Sequence, residues 1–423
     1  MRFPWRYVLV IGALAVACLV VAACGGEGEE EVATATPTAT VTVTPTVTPT
    51  ATVTVTPTVT PTATAAAGSV PMFRGNPAHT GVNPGPGVEG SPKLLWRFPT
   101  DLPVSSSPVV VEGVVYIGSI DNHLYALDAA TGDQRWRFQT GSRVDSSPAV
   151  VEGVVYIGSG DSYVYALEAA TGEERWRFET GSAVWSSPAV VGGVVYIGSS
   201  SGYHPVFNPS GAGTPYLYAL DSATGEERWR FETGGDVDSS PAVVDGVVYI
   251  GSTDNYVYAL DAATGEQIWR SETGGVILSS PAVAHGVVYI GSWDSYVYAL
   301  DAATGEERWR FPTGDYVESS PAVLDGVVYI GSVDSYVYAL DAGTGEQLWR
   351  FKTGFWVQSS PAVVDDVVYV GSNDGYVYAL DAATGKERWR FEMAAVGSSS
   401  PAVVDGVVYI GSLDGYVYAI TEE

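Results

Sequence analysis

From Lys93 to the C-terminus the chain alternates dense apolar runs with polar turns, and the pattern returns about every forty residues. The run Val-Val-Tyr-Ile/Val-Gly-Ser begins at Val114, Val154, Val194, Val247, Val287, Val327, Val367 and Val407. A tryptophan followed by arginine recurs at Trp96, Trp136, Trp176, Trp229, Trp269, Trp309, Trp349 and Trp389. The copy that opens at Ser279 resolves into four extended pieces: SSPAVA, GVVYIGS (286–292), YVYALD (296–301) and ERWRF (307–311). Asp294-Ser295 and the segment AATGE supply the turns between them. β-branched and aromatic runs with turn residues every eight to twelve positions or so predict an all-β meander. No stretch of the repeat holds apolar residues at helical spacing.

Four strands per forty residues or so match one blade of a β-propeller. A sheet that is apolar on both faces cannot bury them alone; stacked blades bury them, and a closed ring leaves no exposed end. The last copy, ending LDGYVYAITEE, lacks a fourth strand, while KLLWRFPT (93–100) precedes the first complete copy. The N-terminal strand is therefore expected to complete the last blade: seven whole blades and one shared, an eight-bladed propeller of four-stranded antiparallel sheets. Ser-Ser-Pro, as in Ser239-Ser240-Pro241, opens every copy. It reads as the start of the innermost strand, with its free edge on the central channel, where proline leaves no N–H unpaired.

The segment before the repeat has a different grammar. Arg2 and Arg6 precede an apolar stretch from Tyr7 to Ala23, a secretory leader assigned to residues 1–23. Val21-Ala22-Ala23-Cys24 resembles a bacterial lipobox, so Cys24 is the expected lipidation site; Ala15-Val16-Ala17-Cys18 is the poorer match. Cys18 and Cys24 are the only cysteines, so the mature domain has no disulfide or thiolate chemistry. Residues 24–69 read as the lipidated cysteine and a disordered Thr/Pro-rich tether, which could extend on the order of 140 Å at ~3.1 Å per residue. Residues 70–92, rich in glycine and proline, read as an ordered lead-in, and 93–423 as the propeller.

The motif Ala259-x-Asp261-x-x-Thr264-Gly265-x-x-x-Trp269 resembles the tryptophan-docking motif of the quinoprotein-type, PQQ-like propeller repeat. It recurs at Ala126–Trp136, Ala219–Trp229, Ala299–Trp309, Ala339–Trp349 and Ala379–Trp389, with Glu168 replacing the aspartate in the Ala166–Trp176 copy. The eighth copy is split between Ala419 and Thr421 at the C-terminus and Trp96 at the start. The resemblance implies that each tryptophan is sandwiched between blades against the glycine turn. A lipidated propeller of this repeat is similar to the BamB-type lipoproteins of outer-membrane-protein assembly. It also shares blades with PQQ-dependent dehydrogenases, which implies a possible quinone and calcium. The adjacent cysteine pair common in those enzymes is absent here, and the blades are nearly bare of loops. The expectation is no enzyme, no cofactor and no metal. His79, His123, His204 and His285 stand at no metal-ligand spacing. The aspartates of the GSxD turns, such as Asp294 and Asp334, read as hairpin chemistry rather than a metal ring.

What repeats explains the fold, so function is sought where copies differ. The residue before each Ser-Ser-Pro is Ser105, Asp145, Trp185, Asp238, Leu278, Glu318, Gln358 or Ser398, expected to ring the channel mouth. Nearby departures include Arg143, Asp236, Tyr316, Phe355 and Trp356, and Trp293 in a neighbouring turn. Large aromatics in turns otherwise made of glycine and serine point to a binding face. The expected rim is Arg143, Asp145, Trp185, Asp238, Trp293, Tyr316, Glu318, Trp356, Gln358 and His204. His204 belongs to a 13-residue insertion within 200–216, readable as a partner-contacting loop or a tolerated insertion. A net charge of −28 argues against nucleic acid and favours cationic partners. The sequence thus predicts a monomeric, non-catalytic binding scaffold, lipid-anchored to a membrane in the bacterial cell envelope. Its expected partner is an envelope protein or polypeptide, with a small molecule or glycan as the alternative ligand.

Overall fold

The computed structural model describes residues 69–88, 90–201 and 213–423. The leader, Cys24, the tether up to residue 68 and His204 lie outside the described residues. The described residues form thirty-two strands in eight four-stranded antiparallel sheets, the eight-bladed all-β propeller expected. Blade 5 is typical: inner strand Ala282–Ala284, second strand Val287–Gly291, third strand Tyr296–Asp301, outer strand Glu307–Pro312. Successive side chains of a strand point to opposite faces. Val287 and Tyr289 therefore pack toward blade 6, and Val288 and Ile290 toward blade 4. Both faces are covered, which is why Val287–Gly291 is buried throughout while the outer strand alternates.

The tryptophans fasten each blade to the next. Trp309 donates its indole N–H to the Ala342 carbonyl at 3.0 Å, and the Tyr289 hydroxyl reaches the same oxygen at 3.1 Å. Gly345 has φ +75°, and a Cβ there would lie 2.7 Å from the Trp309 ring. That position needs glycine for both reasons. The pair Pro92–Pro99 and Tyr416–Glu422 closes the ring, with Trp96 opposite Ala419. Trp96 in turn docks on the Ala129 carbonyl of blade 1 at 2.9 Å. One detail departs from the sequence reading. Blade 8 has no alanine turn to receive Trp389, and the acceptor is the Val88 carbonyl of the lead-in, at 3.0 Å. The split eighth motif is thus completed by residues before the propeller boundary.

The inner strands also differ from expectation, because their channel-facing edges are not free. The backbone N–H groups of Val110, Val150, Val243, Val283, Val323 and Val363 donate to carbonyls of the lead-in, from Val70 to Gly81. Buried Arg74 donates to the carbonyls of Pro361 and Pro321. An exposed strand edge is a row of unpaired polar groups, and here one segment winds around the axis and pairs with six blades. The serines do more than fit a crowded axis. Within a blade the first serine accepts a backbone N–H, as Ser279 does from Gly291 at 3.0 Å. The second links blades: Ser280 N–H donates to Ser320 Oγ, Ser320 N–H to Ser360 Oγ, and so on until Ser400 N–H donates to Ser107 Oγ.

Candidate functional site

The serine ring and the lead-in line an axial cavity of about 310 Å³. Phe73 lies at its base, the second serines form the wall, and the eight variable residues from Ser105 to Ser398 form the mouth. The sequence-predicted residues Asp145, Trp185, Asp238, Glu318 and Gln358 are brought together here.

The mouth has two halves. On blades 2 to 4, the Arg143 guanidinium pairs with Asp145 at 3.0 Å and lies 4.2 Å from the centre of the Trp185 ring. Trp185 is seated over Gly160, where a Cβ would come within 2.6 Å of the indole. Asp238 accepts a hydrogen bond from the Ser200 hydroxyl, and Asp236 accepts one from Ser201 N–H, so both carboxylates hold the foot of the insertion. On blades 6 and 7, Asn373 donates to Gln358 at 2.7 Å and Gln358 donates to Glu318 at 2.6 Å. Burial pushes the carboxyls of Asp145 and Glu318 above their usual range.

Outside the mouth the aromatics do not all stand free. Trp293 is half-buried and stacks on Tyr316 with ring centres 5.0 Å apart. The exposed aromatics of these links are Tyr316, Phe355 and Trp356, at 44%, 45% and 39%, and the aliphatic Leu102 and Leu413 are also exposed. Phe355 and Trp356 stack on each other at 4.7 Å. Trp185 and Trp293 are thus packed against neighbours, which the sequence pattern does not carry. Phe73 was missed altogether as part of the site; the apolar Val70-Pro71-Met72-Phe73 after the polar tether was the available signal. The GSxD aspartates are occupied by structure. Asp294 accepts hydrogen bonds from Tyr296 N–H, the Tyr298 hydroxyl and Gly274 N–H, stapling the link between blades to the turn.

Asp238 titrates near 6 rather than 3.8, raised by burial, with the Ser200 hydroxyl opposing, Asp236 adding and Arg143 opposing. The native state therefore holds that proton more tightly than the unfolded chain does. The cost of ionising Asp238 is absent below the unfolded value, grows between about pH 4 and 6, and persists above. Asp238→Asn is expected to raise stability at neutral pH by up to about 3 kcal/mol and to flatten that part of the pH profile. Urea midpoints of both proteins at several pH values measure this; an unchanged midpoint at pH 7 contradicts it.

The model of the family described as "Outer membrane protein assembly factor BamB" matches residues 89–212, 206–277 and 333–423. Among solved structures, BamB from Moraxella catarrhalis is similar at TM-score 0.65 and 21% identity, covering 78% of this chain and 98% of that one. Quinohemoprotein alcohol dehydrogenase from Comamonas testosteroni is similar at TM-score 0.72 and 18% identity, covering 85% and 81%. The computationally designed Ika8 protein is similar at TM-score 0.67 and 20% identity, covering 77% and 99%. No curated protein sequence matches the chain.

The quinone and calcium implied by the dehydrogenase resemblance do not suit the mouth. Pyrroloquinoline quinone is a tricarboxylate, and this cavity presents Asp145, Asp238 and Glu318. Its cation, Arg143, is already engaged by Asp145 and Trp185. Like charges at short range in a partly buried site repel strongly. Among the described residues no three His, Cys, Asp or Glu side chains form a cluster able to hold a metal ion.

Proposed function

Starting from the fact that this chain belongs to the family of the outer membrane protein assembly factor BamB, we propose that it is a non-catalytic binding scaffold of the bacterial cell envelope. On this reading the domain works outside the cytoplasm, held to a membrane by a lipid on Cys24, and the Thr/Pro-rich segment sets its reach. Its partner is an envelope protein or polypeptide. The observation that carries the reading is the concentration of unlike residues on one rim. An open aromatic patch and a charged mouth stand on a ring whose other turns are consumed by hydrogen bonds within and between blades. Exposed aromatics beside a pocket are the usual energetic centre of a protein interface.

The test is co-purification from native membranes with the full chain and with a Tyr316→Ala, Phe355→Ala, Trp356→Ala variant. These side chains lie on the surface, so the variant is expected to fold and to lose most partner recovery, a drop of at least about tenfold. Equal recovery by the folded variant rejects this rim as the partner site. In parallel, the purified domain is titrated with quinone and calcium. Stoichiometric binding with dye-linked oxidation of alcohols or sugars would replace the scaffold with a dehydrogenase.

A further inference from the structure

We infer that the axial mouth receives a lysine or arginine side chain carried on a loop of the polypeptide partner, with apolar neighbours of that residue lying on Tyr316, Phe355 and Trp356. The inference rests on the scaffold reading and names the chemistry of the partner.

The mouth contains its own precedent. Arg143 combines a carboxylate, Asp145, with an aromatic face, Trp185. A guanidinium between a carboxylate and an indole is held by charge and by the ring quadrupole together. The rest of the ring has the carboxylates without the cation. Asp238 is held by the hydroxyl of Ser200, and Glu318 by the amide of Gln358. Both donors are neutral, and neither carboxylate forms an ion pair with a described cation. Two partly buried carboxylates without a direct ion pair are costly to the free protein. An incoming cation offsets that cost, so binding gains from what folding lost.

Size and lining select the form in which the cation arrives. A cavity of about 310 Å³ is at the lower end of small-molecule sites, room for a side chain or loop tip but not for a helix of roughly 10 Å diameter. Leu278 on the wall and Phe73 at the base suit an aliphatic stem, and the serine ring suits a head that donates hydrogen bonds. The aromatic patch begins two residues from the mouth, since Tyr316 precedes Glu318 and Trp356 precedes Gln358 by two positions. A free amine would leave that patch uncovered, whereas a polypeptide covers both. The net charge of −28 adds long-range attraction for a basic partner.

The test uses the full chain and two synthetic peptides, acetyl-Gly-Leu-Phe-Lys-Phe-Gly-amide and its twin with Nε-acetyl-lysine, titrated by calorimetry at low salt. The lysine peptide is expected to bind one to one, with the acetylated twin weaker by about tenfold or more. Asp238→Asn with Glu318→Gln, a nearly isosteric pair, is expected to erase that difference. Leu278→Lys supplies an independent check, because a tethered ammonium in the mouth is expected to block the lysine peptide. Equal binding of the two peptides, no binding of either, or discrimination that survives in both variants overturns the inference. Acetyl-lysine-methylamide binding as tightly as the peptide overturns the assignment to a polypeptide. Failure here separates from failure of the scaffold reading. Undiminished recovery of an envelope partner by the Asp238→Asn, Glu318→Gln variant sinks this inference and leaves the scaffold standing. Titration of the lysine peptide by a chain that recovers no partner supports the pocket and sinks the scaffold.

Discussion

A chain that begins at Thr100 is expected to lose cooperative unfolding, while one that begins at Ser69 is expected to unfold like the full chain. The first truncation removes the strand Pro92–Pro99 and every pairing it makes with Tyr416–Glu422. It also removes Trp96 from the Ala129 carbonyl and the Val88 carbonyl from Trp389, so both junctions of blade 8 fail at once. With them go the lead-in carbonyls that accept the N–H groups of six inner strands. Each buried donor left unpaired costs about 1–3 kcal/mol, and two blade faces are returned to water. The sum exceeds the 5–15 kcal/mol or so by which domains are stable. Urea unfolding followed by tryptophan fluorescence and far-ultraviolet circular dichroism measures the outcome. A sharp, coincident transition in the Thr100 chain contradicts the closure described here.

Gly345→Ala is expected to destabilise the ring by about 3 kcal/mol. The residue sits at φ +75°, and its new Cβ would meet the Trp309 ring at 2.7 Å. The backbone conformation alone costs roughly 1–2 kcal/mol for a non-glycine residue. The clash pushes the indole away from the Ala342 carbonyl, which Tyr289 shares. A total near 3 kcal/mol follows for this site, comparable with about 3–5 kcal/mol for Trp309→Ala. The two changes disturb the same contact, so the double variant is expected to cost less than the sum by about 1 kcal/mol or more. Strict additivity in a double-mutant cycle on unfolding midpoints contradicts the sandwich.

The ring itself was legible from sequence because each blade repeats one solution to one problem. Val-Val-Tyr-Ile-Gly is apolar without alternation, the mark of a strand covered on both faces, and the unpaired KLLWRFPT announced closure. The lead-in was less legible. Val88 stands in for the alanine of a turn that blade 8 lacks, and a single backbone carbonyl leaves no signature in side-chain pattern. The pairing of Val70–Gly81 with inner strands is likewise made by backbone, so glycine and proline content gave no hint of it. The mouth residues stand where the copies disagree, and Asp145, Trp185, Asp238, Glu318 and Gln358 converge. Their division of labour was not readable. Only the folded chain places Arg143 against Trp185 and leaves Asp238 and Glu318 on neutral donors. Trp293 and Trp356 look alike in sequence, yet one is packed under Tyr316 and the other stands open.

As a scaffold, the ring is proposed to hold a polypeptide at its axial mouth. The most direct measurement places a photo-crosslinking amino acid at Leu278, on the wall of the mouth, and in a second protein at Ile268, exposed on an outer strand of the same ring. Both are irradiated in native membranes. A discrete envelope-protein adduct is expected from position 278 and none from position 268. No adduct at 278, or the same adducts from both positions, would contradict it.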